Sequence, residues 1–260
     1  MDNRGMNRVF ITGSTDGLGL AAARRLIAEK HEVVLHARSR ERATAISDVA
    51  EKSAGVVIGD LSSTEETRAV AEQVNAIGRM DAVIHNAGVY RMPNRSATPE
   101  GHAKTLAVNT LAPYMLTSLM ERPSRLIYLS SGMHRSGKAM LRDIDWVERP
   151  WEQTQAYCDS KLYVTAVALA VARLWPDVLS NVVDPGWVPT KMGGAGASDD
   201  LEMGHLTQTW LAVSDDAAAN VSGKYWYHRK QQSPAAAAMD AAFQDQLITK
   251  LTDLTGVSVV

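Results

Sequence analysis

The sequence contains little of what marks several large classes of protein. It has one cysteine, Cys158, among 260 residues, which excludes an intrachain disulfide and fits a reducing compartment. Lysine and arginine number 27 against 29 acidic residues, so no basic surface for nucleic acid is expected. No run of about eighteen apolar residues occurs, and the start has no long apolar stretch. We therefore expect a cytoplasmic protein with no membrane span, no signal peptide and no nucleic-acid partner.

An alternation of short apolar runs and helix-like segments fills the chain instead. The strand-like runs are RVFIT, EVVLHA, GVVIGD, MDAVIHNAG, SRLIYLSSG, VLSNVVDPG and GKYWY. Between them lie ERATAISDVAEK, STEETRAVAEQVNAIG with Ser63 or Thr64 as its N-cap, and the long segment TPEGHAKTLAVNTLAPYMLTSLME. Strands that alternate with helices imply right-handed crossovers and a parallel sheet covered on both faces. The sequence predicts one Rossmann-like, doubly wound α/β domain over residues 1–260, with about seven strands.

A glycine-rich segment, TGSTDGLG, follows the first strand-like run and opens a helix. Glycines there allow a tight turn and a close approach of phosphate, and the helix N-terminus offers free N–H groups to a pyrophosphate. An ordinary glycine-rich turn is the alternative, but the strand before it and the helix after it favour dinucleotide binding. The predicted cofactor-binding residues of this segment are Gly13, Ser14, Thr15, Asp16, Gly17, Leu18 and Gly19.

The ends of the second and third runs bear on which dinucleotide is bound. An acidic residue after the second run would favour NAD, but Arg38 stands there, with Arg40 close by. An arginine fork suits a 2′-phosphate, so NADP(H) is the preferred cofactor and NAD(H) stays possible. Asp60 and Leu61, after the third run, are expected to contact the adenine. The alternatives are a solvated basic loop for Arg38 and a turn or cap for Asp60.

Further candidates follow the later runs, because ligands of such sheets bind outside the carboxyl ends of the strands. Ser131 ends the fifth run. Tyr157 and Lys161, in YCDSK, are four residues apart and would share one helix face. Packing of the tyrosine on the lysine stem is the commoner fate of such a pair. The other expected cofactor contacts are Asn86, Ala87 and Gly88 after the fourth run, and Pro185, Gly186, Val188 and Thr190 after the sixth.

Taken in order, TGxxxGxG, NAG, a strand-end serine, YxxxK and PG resemble the compact branch of the short-chain dehydrogenase/reductase family across nearly the whole chain. The segments DIDW, PGWVPTKM and SGKYW resemble its retinol-dehydrogenase-like and carbonyl-reductase members. The resemblance implies Tyr157 as general acid/base, Ser131 as donor to the substrate oxygen, and Lys161 as ligand of the nicotinamide ribose. It also implies Asn109 in a water-linked proton relay, and Val188 and Thr190 at the nicotinamide carboxamide. One departure is Asp16, where many NADP-preferring members have a basic residue.

The resemblance further implies that Lys161 lowers the pKa of Tyr157. A free tyrosine has a pKa of about 10, and bringing it near neutrality requires about 4 kcal/mol. One cation at ~4 Å supplies about that at an effective dielectric constant near 20, but only about 1 kcal/mol in bulk water. The pair is therefore expected in a shielded cleft.

Apolar and aromatic side chains after the fifth and sixth runs suggest an apolar or aromatic substrate. The candidates are Met133, His134, Met140, Trp146, Trp187 and Met192, each of which has core packing as its alternative. A glycine-hinged lid is predicted over about residues 188–212, around GGAGASDD. The seven histidines lack metal-ligand spacing, so no metal is expected. Cys158 is interpreted as a packing residue.

The last predicted helix spans about residues 239–255, with Phe243, Leu247, Leu251 and Leu254 on one face and Gly256 after its end. It either covers the core or forms a dimer contact. The resemblance implies a homodimer or homotetramer.

The leading prediction is an NADP(H)-dependent oxidoreductase acting on an apolar ketone, aldehyde or alcohol. Two alternatives stay open. One is an epimerase or dehydratase with the same Tyr/Lys pair, although those relatives usually carry a larger C-terminal part. The other is a redox sensor that binds NADP(H) without turnover, which would not need Ser131, Tyr157 and Lys161.

Overall fold

A single sheet of eight strands runs through the computed structural model, which describes residues 5–260. Its strand order is β3-β2-β1-β4-β5-β6-β7-β8, and only the β7–β8 pair is antiparallel. The strands are β1 (Arg8–Ile11), β2 (Glu32–Ala37), β3 (Gly55–Ile58), β4 (Ala82–His85), β5 (Arg125–Leu129), β6 (Leu179–Asp184), β7 (Tyr225–Tyr227) and β8 (Lys230–Gln232). The predicted doubly wound sheet is confirmed. The short, fully exposed β8 was not predicted from the sequence. Residues 1–4 of the predicted domain lie outside the described residues.

Helices cover both faces of this sheet because alternate strand residues point to opposite sides. In β1, Phe10 belongs to one apolar core, with α4, α6 and α7, while Val9 and Ile11 belong to the other, with α1 and α8. The helices are α1 (Gly17–Ala28), α2 (Arg40–Thr44), α3 (Ser47–Ala50), α4 (Thr64–Ile77), α5 (Lys104–Leu106), α6 (Ala112–Leu119), α7 (Gln153–Leu174), α8 (Leu201–Val213), α9 (Ala236–Met239) and α10 (Ala241–Thr255).

Two predicted helices are shorter or more divided than expected. The segment TPEGHAKTLAVNTLAPYMLTSLME becomes helical only at Lys104, because Gly101 has a left-handed φ of 91° and turns the chain before it. A π-helical turn, Ala107–Leu111, then separates α5 from α6. The segment ERATAISDVAEK divides into α2 and α3. The N-cap of α4 is Ser63, whose hydroxyl accepts a hydrogen bond from the Glu66 N–H.

The C-terminal helix α10 covers the core. Phe243, Leu247 and Leu251 are buried in the core cluster that includes α7, and Gly256 follows the helix in the left-handed conformation. The Trp175 indole also donates to the Val259 carbonyl at 2.9 Å. The apolar face of this helix is therefore used within the chain rather than left for a partner.

The predicted lid is also shorter than expected. Its second half is α8, which packs on α1 and buries Leu211 and Ala212 in the core. Only the irregular segment before Leu201 is free of that packing. Across residues 5–260, none of the helices combines the length and the apolar character needed to cross a bilayer.

Candidate active site

The glycine segment folds as a tight loop between β1 and α1. Gly13 and Gly17 have left-handed φ angles of 63° and 51°. A Cβ atom on Gly19 would lie 2.4 Å from both the Asn86 amide nitrogen and the Gly13 carbonyl oxygen. The Asn86 amide donates to the Thr12 carbonyl at 2.9 Å, which ties the loop to the end of β4. Backbone conformation therefore favours glycine at Gly13 and Gly17, and close packing within the protein requires it at Gly19.

His36 supports this loop from beneath, a role that sequence reasoning missed. Its Nδ1 accepts from the Gly13 N–H at 2.9 Å, and its Nε2 donates to the Gly59 carbonyl at 2.9 Å. Burial lowers the pKa of His36, which keeps the ring neutral in this tautomer. The sequence signal for this role was the polar residue His36 near the end of the apolar strand β2. Ser14 also faces β2, since its hydroxyl accepts from the His36 N–H at 2.8 Å, and it does not line a cavity.

The site has two adjoining cavities. The smaller of them, with a volume of about 370 Å³, lies between the glycine loop and the ends of the central strands. It brings together most of the predicted cofactor residues: Gly13, Thr15, Asp16, Gly17, Leu18, Arg38, Asp60, Leu61, Asn86, Ala87, Gly88, Tyr157, Lys161, Pro185 and Thr190. Gly19 instead packs inside α1. Arg40 is absent from the lining, and Arg42 lines it instead, because two residues along α2 rotate the side-chain direction by about 200°.

Asp16 links the glycine loop to the segment that follows β6. Its carboxylate caps α1 by accepting from the Gly17 N–H at 2.8 Å. It also forms ion pairs with Lys191 and with Arg42, the latter at 3.5 Å. The hydrogen bond from Lys191 and the two cations outweigh partial burial and lower the pKa of Asp16. Asp16 is thus paired with Lys191 and Arg42, while the charge of Arg38 acts on Asp60.

Tyr157 and Lys161 share one face of α7, as their spacing predicts. Glu152 caps this helix and accepts from the Thr154 and Gln155 N–H groups at 3.0 and 2.6 Å. The Lys161 ammonium donates to the Leu129 carbonyl at 2.8 Å and lies 5.7 Å from the centre of the Tyr157 ring. Both side chains are buried, so the shielded cleft is present.

Burial raises the pKa of Tyr157, although a hydrogen bond with Ser131 acts in the opposite direction. The charge of Asp184 raises it further. This direction is opposite to the predicted one, because the Lys161 ammonium is directed at the Leu129 carbonyl rather than at the phenol. Burial also lowers the pKa of Lys161, to about 8.

Asn109 lies in the π-helical turn, beside the catalytic candidates. Its side-chain oxygen accepts from the Val89 N–H at 2.8 Å, and its amide donates to the Ser160 hydroxyl at 3.0 Å. A Cβ atom on Gly88 would lie 3.4 Å from the Asn109 oxygen and 3.5 Å from the Lys161 ammonium. The missing side chain of Gly88 thus leaves open the space between the two groups.

A larger cavity of about 550 Å³ adjoins the smaller one at Tyr157. It contains the predicted residues Ser131, Met133, Trp187 and Met192, together with Gly186 and Val188, which were expected at the cofactor. Other lining residues were not predicted as substrate contacts, and four of them are Tyr90, Asp184, Asp199 and Tyr227. The Tyr90 ring lies 4.4 Å from the Tyr157 ring, centre to centre. No sequence signal placed these four near Tyr157, since they lie on separate segments.

The structure places His134 away from both cavities and corrects its expected contact with substrate. The ring is fully buried: Nδ1 donates to the Ser131 carbonyl at 2.7 Å, and Nε2 accepts from the Ala235 N–H at 3.0 Å. His134 therefore fixes the main chain at Ser131. Met140 and Trp146 do not line either cavity, and Cys158 is buried in α7.

Comparisons with known proteins agree with this geometry. Residues 7–200 match the family model described as short chain dehydrogenase. The chain is 43% identical to the short-chain dehydrogenase chyC of Penicillium rubens, over 98% of this chain and 99% of that protein. It is 29% identical to human retinol dehydrogenase 13, over 96% and 84% of the two chains. A crystal structure of an uncharacterised protein from Mycobacterium paratuberculosis superposes with a TM-score of 0.81 at 23% identity, covering 98% and 95%.

The chain belongs to the short-chain dehydrogenase family. It is an oxidoreductase of alcohol and carbonyl groups, and the resemblance to retinol-dehydrogenase-like members is confirmed. The residues present suit the nicotinamide dinucleotide that this short-chain dehydrogenase family uses: a glycine loop that Cβ atoms would fill, a helix N-terminus, and basic side chains in the cavity. Within residues 5–260, His, Cys, Asp and Glu side chains form no group of three suited to a metal.

Proposed function

We propose that this short-chain dehydrogenase is an NADP(H)-dependent oxidoreductase that transfers a hydride between nicotinamide and the carbonyl or alcohol carbon of an apolar or aromatic small molecule. One observation carries the proposal: Tyr157 borders both cavities, one built on the glycine loop and the other walled by aromatic side chains and Ser131. The bound nicotinamide supplies the hydride chemistry, and the protein supplies orientation and proton transfer.

The side chains have complementary roles in the proposed reduction. The Ser131 hydroxyl donates to the substrate oxygen and orients the carbonyl. Tyr157 then donates its phenolic proton to that oxygen as the alcohol forms. Burial raises the pKa of Tyr157, so the phenol carries its proton at neutral pH, but it is also a weaker acid, which a nearby positive charge has to offset in the reaction. Lys161, with a pKa of about 8, is near enough to neutrality to release and regain a proton toward the space beside Asn109.

The NADP(H) preference is proposed from the charges of the smaller cavity. Arg38, directly after β2, and Arg42, on α2, both line it near the end of β2, where the adenosine ribose is expected. Guanidinium groups suit a phosphate monoester because each donates in a planar fork. A cytoplasmic location and self-association are likewise proposed only from the sequence and the family resemblance.

The test measures oxidation of NADPH and of NADH by the purified protein with a panel of aromatic and long-chain aldehydes and ketones. We expect turnover with NADPH, and a loss of about 10²–10⁴-fold in Tyr157→Phe with cofactor affinity retained. Tyr163→Phe is the matched control, because Tyr163 lies on the same helix but its hydroxyl bonds to the Lys138 carbonyl, outside both cavities. Tight NADPH binding without turnover of any compound would overturn the proposal and favour the sensor.

A further inference from the structure

Asp184 places a carboxylate in the wall of the larger cavity. It ends β6, directly before Pro185 and Gly186, and lines the cavity together with Ser131 and Tyr157. One carboxylate oxygen accepts from the Gly186 N–H at 3.0 Å, and the other accepts from the Tyr225 hydroxyl at 3.1 Å. The side chain is therefore held in one position by a turn and by a buried tyrosine.

This carboxylate retains unused capacity to accept hydrogen bonds. An ionised carboxylate offers about four lone-pair sites, and the described residues occupy two of them. Within residues 5–260 no lysine, arginine or histidine forms a direct salt bridge with it, although the charge of the Lys161 ammonium acts on it at longer range. The charge of Asp184 is felt at the reaction centre, since it raises the pKa of Tyr157.

The space in front of Asp184 is bounded mainly by apolar and aromatic groups. They are Tyr90, Met133, Trp187, Val188, Met192 and Tyr227. The second carboxylate of the lining, Asp199, is engaged within the wall, since it accepts from the Trp187 N–H at 2.6 Å and from the Tyr227 hydroxyl at 3.5 Å. Arg91, the one lysine or arginine in the lining, stands over the Tyr90 ring beside Gly194. A carboxylate without a direct salt-bridge partner in such surroundings is stabilised when a ligand presents a donor to it, and is penalised when an apolar ligand covers it.

We propose that Asp184 selects substrates, so that the compound is an aromatic ketone or aldehyde bearing an N–H donor, as an amine, ammonium or amide. This inference rests on the proposed function and narrows its substrate class. The competing explanation is that Asp184 only braces the Pro185–Gly186 turn and Tyr225. A bracing role would affect all substrates alike, whereas selection changes the ratio between substrates that differ by the donor alone.

The experiment compares acetophenone, its meta-amino derivative and its para-aminomethyl derivative with the NADPH-loaded protein. Dissociation constants and kcat/KM are measured for each, in the wild type and in Asp184→Asn. Asp253→Asn, on the exposed side of α10, is the matched control for loss of one carboxylate. We expect the wild type to favour a donor-bearing ketone by about tenfold, the size expected of a hydrogen bond to a charged group, and Asp184→Asn to lose that preference. On Asp184→Asn, the affinity and kcat/KM for the para-aminomethyl compound, which carries an ammonium group, should fall more than those for the neutral meta-amino compound.

Each result separates the two proposals. Turnover without preference for a donor in the wild type, or a preference that survives in Asp184→Asn, would overturn the role of Asp184 and leave the oxidoreductase proposal intact. Preferential binding that depends on Asp184, without turnover, would support Asp184 and contradict the proposed reaction. If Asp184→Asn does not fold, the wild-type ratio decides, since a ratio of one or less overturns the inference.

Discussion

The two cavities that meet at Tyr157 share part of their lining, including Leu18, Pro185 and Met192, but they differ in their remaining walls. The smaller one is shaped by main chain: Gly13 and Gly17 turn in left-handed conformations, and Asn86 bonds directly to loop carbonyls. The larger one is shaped by side chains of irregular segments. Two of these, Trp187 and Met192, are 54% and 38% exposed. The dinucleotide side is therefore fixed by the backbone, while the substrate side is open to change by single substitutions.

The difference explains how one fold serves many substrates. A substitution in a cavity wall of packed backbone lowers the stability of the fold, so such a cavity retains its specificity for one ligand. A wall of loop side chains changes without disturbing the sheet. Asp184 lies at the boundary, because it ends a strand of the sheet and faces the larger cavity.

The largest effect is expected at the junction of the cavities, in Lys161→Met. We expect kcat to fall by at least about 100-fold, because the proton relay loses its base. Stability should change in the opposite sense. The folded pKa of Lys161, about 8, lies below its unfolded value of 10.5. The unfolded chain therefore holds more protons between these values, so this group's contribution to wild-type stability rises with pH over that window.

The measurement is chemical denaturation of both proteins from neutral to alkaline pH. Lys161→Met should be the more stable protein at pH 7 and should lack the rise that Lys161 contributes to the wild type. A mutant that is less stable at pH 7 would contradict a destabilising burial of the ammonium.

Glycine-to-alanine substitutions beside the smaller and the larger cavity compare how well the two cavity walls tolerate a change. In Gly19→Ala the new methyl group meets the Gly13 carbonyl at 2.4 Å, so the free energy of unfolding should fall by roughly 1–3 kcal/mol and NADPH affinity should fall with it. Gly196→Ala is the control beside the larger cavity, where the nearest atom is a Trp187 ring carbon at 3.9 Å. Equal effects of the two substitutions on melting temperature and NADPH affinity would refute the contrast.

The smallest expected effect concerns cofactor choice. Arg38→Ala should weaken NADPH binding by about tenfold or more and leave NADH binding nearly unchanged, because a charge-assisted contact to the 2′-phosphate is lost. Arg40→Ala removes the same charge from a residue that does not line the cavity. Titration of the three proteins with both cofactors measures the change. A wild type that binds NADH as tightly as NADPH would eliminate the NADP(H) preference.

Sequence patterns predicted the backbone side of the site well and the side-chain side poorly. The glycine spacing, the apolar runs and the Tyr157–Lys161 interval are local, so the parallel, doubly wound sheet and the cleft followed from them. Tyr90, Asp184 and Tyr227 meet only after folding, from segments far apart in the sequence. His134 was misplaced because a histidine near a strand end can face either way. Its buried bonds to Ser131 and Ala235 depend on a distant loop.

The most direct test of the proposed hydride transfer follows the hydrogen that leaves nicotinamide C4. NADPH carrying deuterium at both C4 positions of the nicotinamide is incubated with an accepted aromatic ketone, and the product alcohol is examined by mass spectrometry for deuterium on its carbinol carbon. We expect one deuterium at that carbon with wild-type protein and with Tyr163→Phe, and no product above background with Tyr157→Phe. Product without the label, or labelled product formed equally by Tyr157→Phe, would contradict hydride transfer at this site with Tyr157 as the proton donor.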